Sequence, residues 1–223
     1  MTGPTSSAGR FIDRADAGRR LAARLDPWRE RDVVVLGLAR GGVPVAYEVA
    51  RALAAPLDTI VVRKLGLPGE PEVAMGAIAE GGFEVLDRLL AARSGIDDDQ
   101  IRAIEDDERH TLEQRAGRLR HERGRIDLQG RTAIIVDDGL ATGATARVAC
   151  EVARHLGADQ VVLGIPVGPP GVEDVVAEAD QVVCLNTPEP FLAVGHHYRN
   201  FKQTTDEEVV ALLDAAREGW GSG

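Results

Sequence analysis

Two adjacent carboxylates follow an apolar run in the stretch AIIVDDGLATGAT, residues 133–145. The run is typical of a strand buried on both faces, which would deliver Asp137 and Asp138 to the edge of a sheet. Residues 142–145 then open a predicted helix, where free backbone N–H groups and the positive end of the helix dipole favour a phosphate. The stretch therefore predicts an anion site beside two carboxylates.

The two carboxylates need partners other than a phosphate. Ionised Asp accepts hydrogen bonds from sugar hydroxyls, and Mg²⁺ takes carboxylate and phosphate oxygens as ligands. A phosphorylated sugar, with Mg²⁺ held by Asp137 and Asp138 directly or through water, satisfies both demands. Asp138 with Gly139 as a turn and Thr142 as a helix cap is the structural alternative. The combination of features favours a ligand site, and the lack of Walker A and GxGxxG patterns excludes those two phosphate-binding loops.

A second polar cluster, GLARGGVP at residues 37–44, follows the first predicted strand. Arg40 offers a cation and the glycines after it offer exposed N–H groups, which suit another anion. A glycine-rich turn with Arg40 in solvent is the alternative. A third cluster, Arg63 and Lys64, ends the second predicted strand.

The segment 188–201 collects aromatic and histidine side chains in a chain with only 4% aromatic residues. The ring of Tyr198 could stack on a flat base or fill the core, and the sequence leaves both open. His196 and His197 have no spaced partner that would indicate a metal site.

Strands and helices alternate along the chain, which predicts an α/β fold with a doubly wound parallel sheet and ligands at the carboxyl ends of its strands. Residues 86–122 have helical periodicity with a thin apolar seam, and acidic residues precede basic ones there, as suits a helix dipole. Strands are predicted at 32–38, 57–65, 132–138, 160–168 and 181–185, a hairpin at 73–86, and further helices at 13–25, 41–55, 142–156, 171–179 and 205–217.

Composition limits the function further. The net charge of −10 argues against a nucleic-acid partner, and two cysteines are too few for a disulfide framework. No stretch has the length and apolarity of a membrane span and the first residues do not resemble a signal peptide, so we expect a cytoplasmic protein without a membrane partner. We expect residues 1–10 to be a disordered tail and residues 11–223 to form one domain.

The VDDGLATGAT stretch and its strand resemble the motif that binds phosphoribosyl diphosphate (PRPP) in type I phosphoribosyltransferases, and the whole chain resembles bacterial proteins with that domain. The resemblance implies that Asp137 and Asp138 contact the ribose hydroxyls. Ala141 stands where 6-oxopurine transferases have Asp, which makes hypoxanthine or guanine a less expected substrate. The resemblance places the 5′-phosphate on Ala141, Thr142, Gly143, Ala144 and Thr145, and Gly139 is a further substrate-binding residue.

The same resemblance assigns the other clusters. It implies a pyrophosphate loop at Ala39, Arg40, Gly41 and Gly42, with a cis peptide bond between Ala39 and Arg40. Arg63 and Lys64 would reach the pyrophosphate or the ribose, and a flexible loop at 66–73 would close over them. Glu70 or Glu72 could accept a proton from the incoming base, and residues 84–125 would form a helical hood.

The activity implied is Mg²⁺-dependent transfer of the 5-phosphoribosyl group from PRPP to a nitrogenous base, as in nucleotide salvage, with Arg40, Lys64, Asp137 and Asp138 as catalytic residues. A PRPP-binding regulatory protein and a phosphohydrolase are the alternatives. A homodimer is the commonest symmetric assembly and is our expectation.

Overall fold

The computed structural model describes residues 9–121 and 124–219, apart from the side chains of residues 71 and 72. Residues 1–8 of the expected tail and Arg123 of the expected hood lie outside the described residues. In chain order the elements are α1 (Arg14–Arg24), β1 (Val33–Leu38), α2 (Gly42–Leu53), β2 (Leu57–Ile60), β3 (Val62–Leu67), β4 (Glu70–Ala79), β5 (Glu84–Leu86), α3 (Arg88–Arg93), α4 (Asp98–Arg120), β6 (Thr132–Val136), α5 (Ala144–His155), β7 (Gln160–Val167), α6 (Val172–Val175), β8 (Gln181–Asn186) and α7 (Asp206–Gly219).

Five parallel strands form the central sheet, in the order β2-β1-β6-β7-β8. Every residue of β1 is buried, because helices cover both faces of the sheet. Val33 and Val35 pack into the core under α1, α2 and α7, whereas Val34 and Leu36 pack into the core under α5 and α6. The predicted doubly wound parallel sheet is confirmed.

A second, antiparallel sheet of β3, β4 and β5 leaves the central sheet after β2. The single strand predicted at 57–65 is therefore wrong in extent: the chain changes sheets at Val61, between β2 and β3. Residues 66–73 lie at the tip of the β3–β4 hairpin, where Leu67 pairs with Glu70 and Gly69 has a φ of 85°. β3 and β4 thus extend into this segment, with Gly66 paired to Ala74 and Leu67 to Glu70, where the sequence predicted a flexible loop.

The helical segment predicted at 86–122 is two helices, α3 and α4, because the chain turns at Gly95 and restarts at a capping box on Asp97. Leu112 and Leu119 of α4 are buried, as the apolar seam predicts. Near its end, Arg120 enters the core and donates to Asp58, Glu80 and the carbonyl of Thr59. This network fixes α4 to β2 and to the end of β4.

The last predicted helix before β8 is shorter than expected, since α6 covers four residues of the segment 171–179. Among the described helices, none combines the length and the apolar character that crossing a membrane requires.

Candidate active site

The carboxyl ends of β1 and β6 are neighbours, with Gly37 in register with Val136. The loop after β1 and the acidic pair after β6 therefore meet at one edge of the sheet. A Cβ on Gly41 would overlap the Oδ2 atom of Asp138, and one on Gly42 would overlap the carbonyl oxygen of Val136. Both loops thus fit together only because the residues after Arg40 have no side chain. The Ala39–Arg40 peptide bond is cis, as the resemblance predicts.

Asp138 is held by an arginine that the sequence interpretation did not single out. Arg14, at the start of α1, donates from Nε to Asp138 Oδ2 at 2.8 Å, and its Nη2 atom lies 2.7 Å from the same oxygen. Its Nη1 atom donates to the carbonyl of Lys202 at 2.6 Å, and its guanidinium lies 4.0 Å from the centre of the Phe201 ring. Residues that are far apart in sequence, in α1 and at 201–202, therefore meet beside the acidic pair.

Both carboxylates are easier to protonate than ordinary Asp side chains. Burial raises the pKa of Asp137 well above its usual value, and the charge of Asp138 raises it further. Burial also raises the pKa of Asp138, although the ion pair with Arg14 opposes this. The backbone N–H of Asp138 donates to Asp137 Oδ1 at 2.8 Å. The pair would gain from a cation or from hydroxyl donors that stabilise its ionised form.

The loop between β6 and α5 exposes the atoms that a phosphate would use. Gly143 has a φ of 77° and is the residue before α5, and a Cβ there would lie 2.6 Å from Val175 Cγ1. Glycine is therefore required at this position by both its backbone angle and its packing. Four of the predicted phosphate-binding residues are exposed: Ala141, Thr142, Ala144 and Thr145.

Arg63 and Lys64 diverge, because successive residues of a strand point to opposite faces. Arg63 contacts α4, where its Nε donates to Glu108 Oε2 at 2.6 Å. Lys64 lies on the other face and lines a cavity of about 250 Å³ with Ala144 and Thr145 at the start of α5. The structure thus brings Lys64 to the start of α5 and Arg63 to α4, and does not bring both to one group.

Tyr198 belongs to the core. Its side chain is 3% exposed, its ring packs between Phe11 and Phe201, and its hydroxyl donates to the carbonyl of Asp138 at 2.5 Å. Such burial leaves no ring face for a base, so the prediction of a substrate-binding Tyr198 is corrected. The residue instead supports the backbone of the acidic pair.

The donor set suits Mg²⁺ only with help from a ligand. Among the described residues, no group of three or more His, Cys, Asp or Glu side chains could hold a metal by itself. Asp137 and Asp138 supply carboxylate oxygens, the ligand type that Mg²⁺ prefers in combination with substrate phosphates and water. The pair therefore fits Mg²⁺ bound together with a phosphorylated substrate.

Comparison with known proteins places this site in a family. The model of the phosphoribosyl transferase domain matches residues 12–187. Two relatives from Mycobacterium tuberculosis, strains CDC 1551 / Oshkosh and H37Rv, both named "Putative phosphoribosyl transferase", are 56% identical over 210 residues, which is 92% of this chain and 47% of each relative. The chain thus spans about half the length of these relatives.

A solved structure shares both the fold and much of the sequence. The crystal structure of TT1426 from Thermus thermophilus superposes with a TM-score of 0.80 at 42% identity and covers 92% of this chain and 97% of the other. The matched residues of the family model include β1, β6 and the loops that follow them. The chain therefore belongs to the phosphoribosyl transferase domain family.

Proposed function

We propose that this protein transfers the 5-phosphoribosyl group from PRPP to a nitrogenous base and releases pyrophosphate in a Mg²⁺-dependent reaction. The observation that carries the proposal is the meeting of three groups at one sheet edge: the acidic pair, the exposed loop before α5, and the loop of Arg40. These groups match the three parts of PRPP, which are the ribose hydroxyls, the 5′-phosphate and the diphosphate.

Each group has a distinct role in the proposal. Asp137 and Asp138 accept hydrogen bonds from the ribose hydroxyls and favour the positive charge that develops on the ring. The N–H groups and hydroxyls of residues 141–145 hold the 5′-phosphate. Arg40 and the N–H groups of Gly41 and Gly42 hold the diphosphate. The chemistry that bound Mg²⁺ supplies at the acidic pair is neutralisation of charge on the leaving pyrophosphate.

The β3–β4 hairpin completes the proposal. Lys64 faces the start of α5 and provides a cation near the 5′-phosphate. We propose that the hairpin tip at 66–73 closes over the substrate and excludes water, which would otherwise hydrolyse PRPP. Exposed Glu70 is the proposed proton acceptor, and the side chain of Glu72, the alternative, lies outside the described residues. Residues 84–125 act as the hood in this arrangement.

A second function is favoured by one contact. Arg14 already forms an ion pair with Asp138. The site is therefore also consistent with a protein that binds PRPP as a regulatory ligand and does not transfer its ribose group. Incubation with PRPP, Mg²⁺ and a panel of bases separates the two functions. Base-dependent release of pyrophosphate supports the transferase, whereas saturable PRPP binding without turnover supports the regulatory protein.

Other products would contradict both functions. Release of free phosphate without a base would indicate a phosphohydrolase, and an absence of PRPP binding would remove the site assignment altogether. Light scattering after size exclusion tests the proposed homodimer.

A further inference from the structure

One face of α4 is turned toward the loop that follows β1. Its polar residues recur at the spacing of a single helix face, three, four and seven residues apart. Together with Arg40 and the first residue of α7 they line a cavity of about 260 Å³. The α4 residues concerned are Thr111, Gln114, Arg115 and Arg118.

The cavity is positively charged, and its two ion pairs are too long to be hydrogen bonds. Arg40 Nη1 and Arg115 Nη2 each lie 3.8 Å from the same oxygen, Asp206 Oδ1. That oxygen is buried and has no hydrogen-bond partner among the described residues. The two guanidiniums are therefore attracted to one carboxylate oxygen without forming hydrogen bonds to it, and Arg118 adds a third positive charge to the cavity wall.

The charges also oppose one another. Burial lowers the pKa of the Arg115 guanidinium; Asp206 raises it, and the charges of Arg40 and Arg63 lower it further. An anion bound among these arginines would remove this repulsion. A diphosphate, with several acceptor oxygens, could accept hydrogen bonds from more than one guanidinium at once.

The rest of α4 is built to keep this face in place. An adjacent side of the helix buries Leu112 and Leu119, and Arg120 is fixed by its network with Asp58 and Glu80. Because these contacts hold α4 in place, only the side chains of Arg115 and Arg118, and not the helix, need to become ordered when a ligand binds.

We propose that Arg115 and Arg118 of α4 form, with Arg40, the subsite that receives the diphosphate of PRPP. Helix α4 thereby supplies substrate contacts from outside the central sheet. This inference rests on the proposed function, because PRPP is the ligand. Asp206 balances the positive charge of the subsite when no diphosphate is bound.

The test compares ligands with and without the diphosphate. We would titrate PRPP, inorganic pyrophosphate and ribose 5-phosphate into the wild type and into the double variant Arg115→Gln/Arg118→Gln, by calorimetry with Mg²⁺. The expected result is a loss of about 10-fold or more in affinity for PRPP and pyrophosphate, with ribose 5-phosphate affected far less. The matched control, Arg93→Gln/Arg102→Gln, removes two exposed charges from α3 and the start of α4 and should leave all three affinities unchanged.

Each contrary result has a separate meaning. Unchanged affinity for PRPP and pyrophosphate in the Arg115→Gln/Arg118→Gln variant would overturn the inference and leave the proposed function intact. An equal loss for all three ligands, or the same loss in the control variant, would also overturn it, since the effect would then be one of net charge or folding. A wild type that binds no PRPP would contradict the proposed function itself.

A variant of opposite sign sharpens the result. Asp206→Asn removes the carboxylate that competes with the anion, so pyrophosphate should bind more tightly than to the wild type. Unchanged or weaker binding would contradict the role assigned to Asp206.

Discussion

One buried and one partly buried ion pair, both between Arg and Asp, connect distant parts of this chain, and they differ in how many hydrogen-bond partners they have. Arg120 and Asp58 are 6% and 1% exposed, and the guanidinium donates hydrogen bonds to Asp58, Glu80 and the carbonyl of Thr59. Burial opposes the charge of Arg120, but Asp58 and Glu80 outweigh this and raise its pKa. The backbone N–H groups of Thr59 and Ile126 complete the coordination of Asp58.

The pair of Arg14 and Asp138 is more open, with side-chain exposures of 12% and 14%. Its carboxylate lies beside a second one, and burial raises the pKa of both. The Arg120–Asp58 pair, whose hydrogen-bond partners are all protein groups, anchors α4 to the core. The Arg14–Asp138 pair lies at a sheet edge and has carboxylate oxygens that can still accept hydrogen bonds, so a ligand could take the place of a protein partner there. The first pair should therefore dominate stability and the second should dominate binding.

The largest effect is expected from breaking the anchoring pair. Asp58→Ala leaves the Arg120 guanidinium with one carboxylate partner fewer and two backbone N–H groups unpaired. Removing one partner of a buried pair costs about 3–5 kcal/mol in the free energy of unfolding, which urea denaturation would measure. Asp26→Ala, which breaks an ion pair with Arg29 on the surface, should cost only a small fraction of this. Equal losses in the two variants would contradict the distinction between the pairs.

The next effect should appear in binding. Asp138→Asn removes the charge of the proposed acceptor for the ribose hydroxyls, so PRPP affinity should fall by about 10-fold to 100-fold in calorimetry. Asp159→Asn makes the same chemical change at an exposed position before β7 and should leave the affinity unaltered. Wild-type affinity in Asp138→Asn would mean that the acidic pair does not hold the ribose.

A smaller effect concerns pH. Arg14 lowers the pKa of Asp138, so Arg14→Gln should raise that pKa further above its ordinary value. Because the proposed ribose contact uses the ionised carboxylate, PRPP affinity in the variant should be lost at a higher pH on acidification than in the wild type. Affinities measured between about pH 5 and pH 8 would show this displacement. Arg20→Gln, which removes a surface partner of Asp16, should not shift the profile.

The smallest effect is expected at Tyr198. Tyr198→Phe removes the hydroxyl that donates to the Asp138 carbonyl but keeps the buried ring. The free energy of unfolding should fall by about 1 kcal/mol, and PRPP affinity should change little. A large loss of affinity at unchanged stability would show that the hydroxyl acts on the ligand and not on the fold.

The order of the strands and helices along the chain follows from the sequence because most central strands are largely apolar runs and the turns after β1, β6 and β7 carry glycine. The boundary at Val61 could not be predicted in this way. Apolar residues continue without a break from Ile60 through Val62, so hydrophobicity alone cannot show that the chain leaves one sheet and enters another. Gly95 and the capping residue Asp97 are common signals of a helix end and a helix start. Because helical periodicity continues on both sides of them, the sequence analysis treated 86–122 as one helical segment.

The acidic pair and the exposed loop before α5 were indicated by the local sequence, and the cis bond before Arg40 was implied by the family resemblance. The ion pair of Arg14 with Asp138 was not, because its two residues are 124 positions apart and only tertiary folding brings them together. Tyr198 shows a similar limit, since an aromatic side chain in a polar segment has the same appearance whether it is stacked on a ligand or buried. The ligand contacts themselves remain predictions.

The missing side chains of Gly41 and Gly42 have a consequence for how this sequence can vary. Alanine at position 41 would collide with a side-chain carboxylate, so a smaller residue at position 138 could restore tolerance, and the two positions should show strong epistasis in a variant library. Alanine at position 42 would collide with the backbone of Val136, which no substitution can shorten. We therefore expect that Gly41 can be replaced when residue 138 also changes, and that Gly42 cannot be replaced.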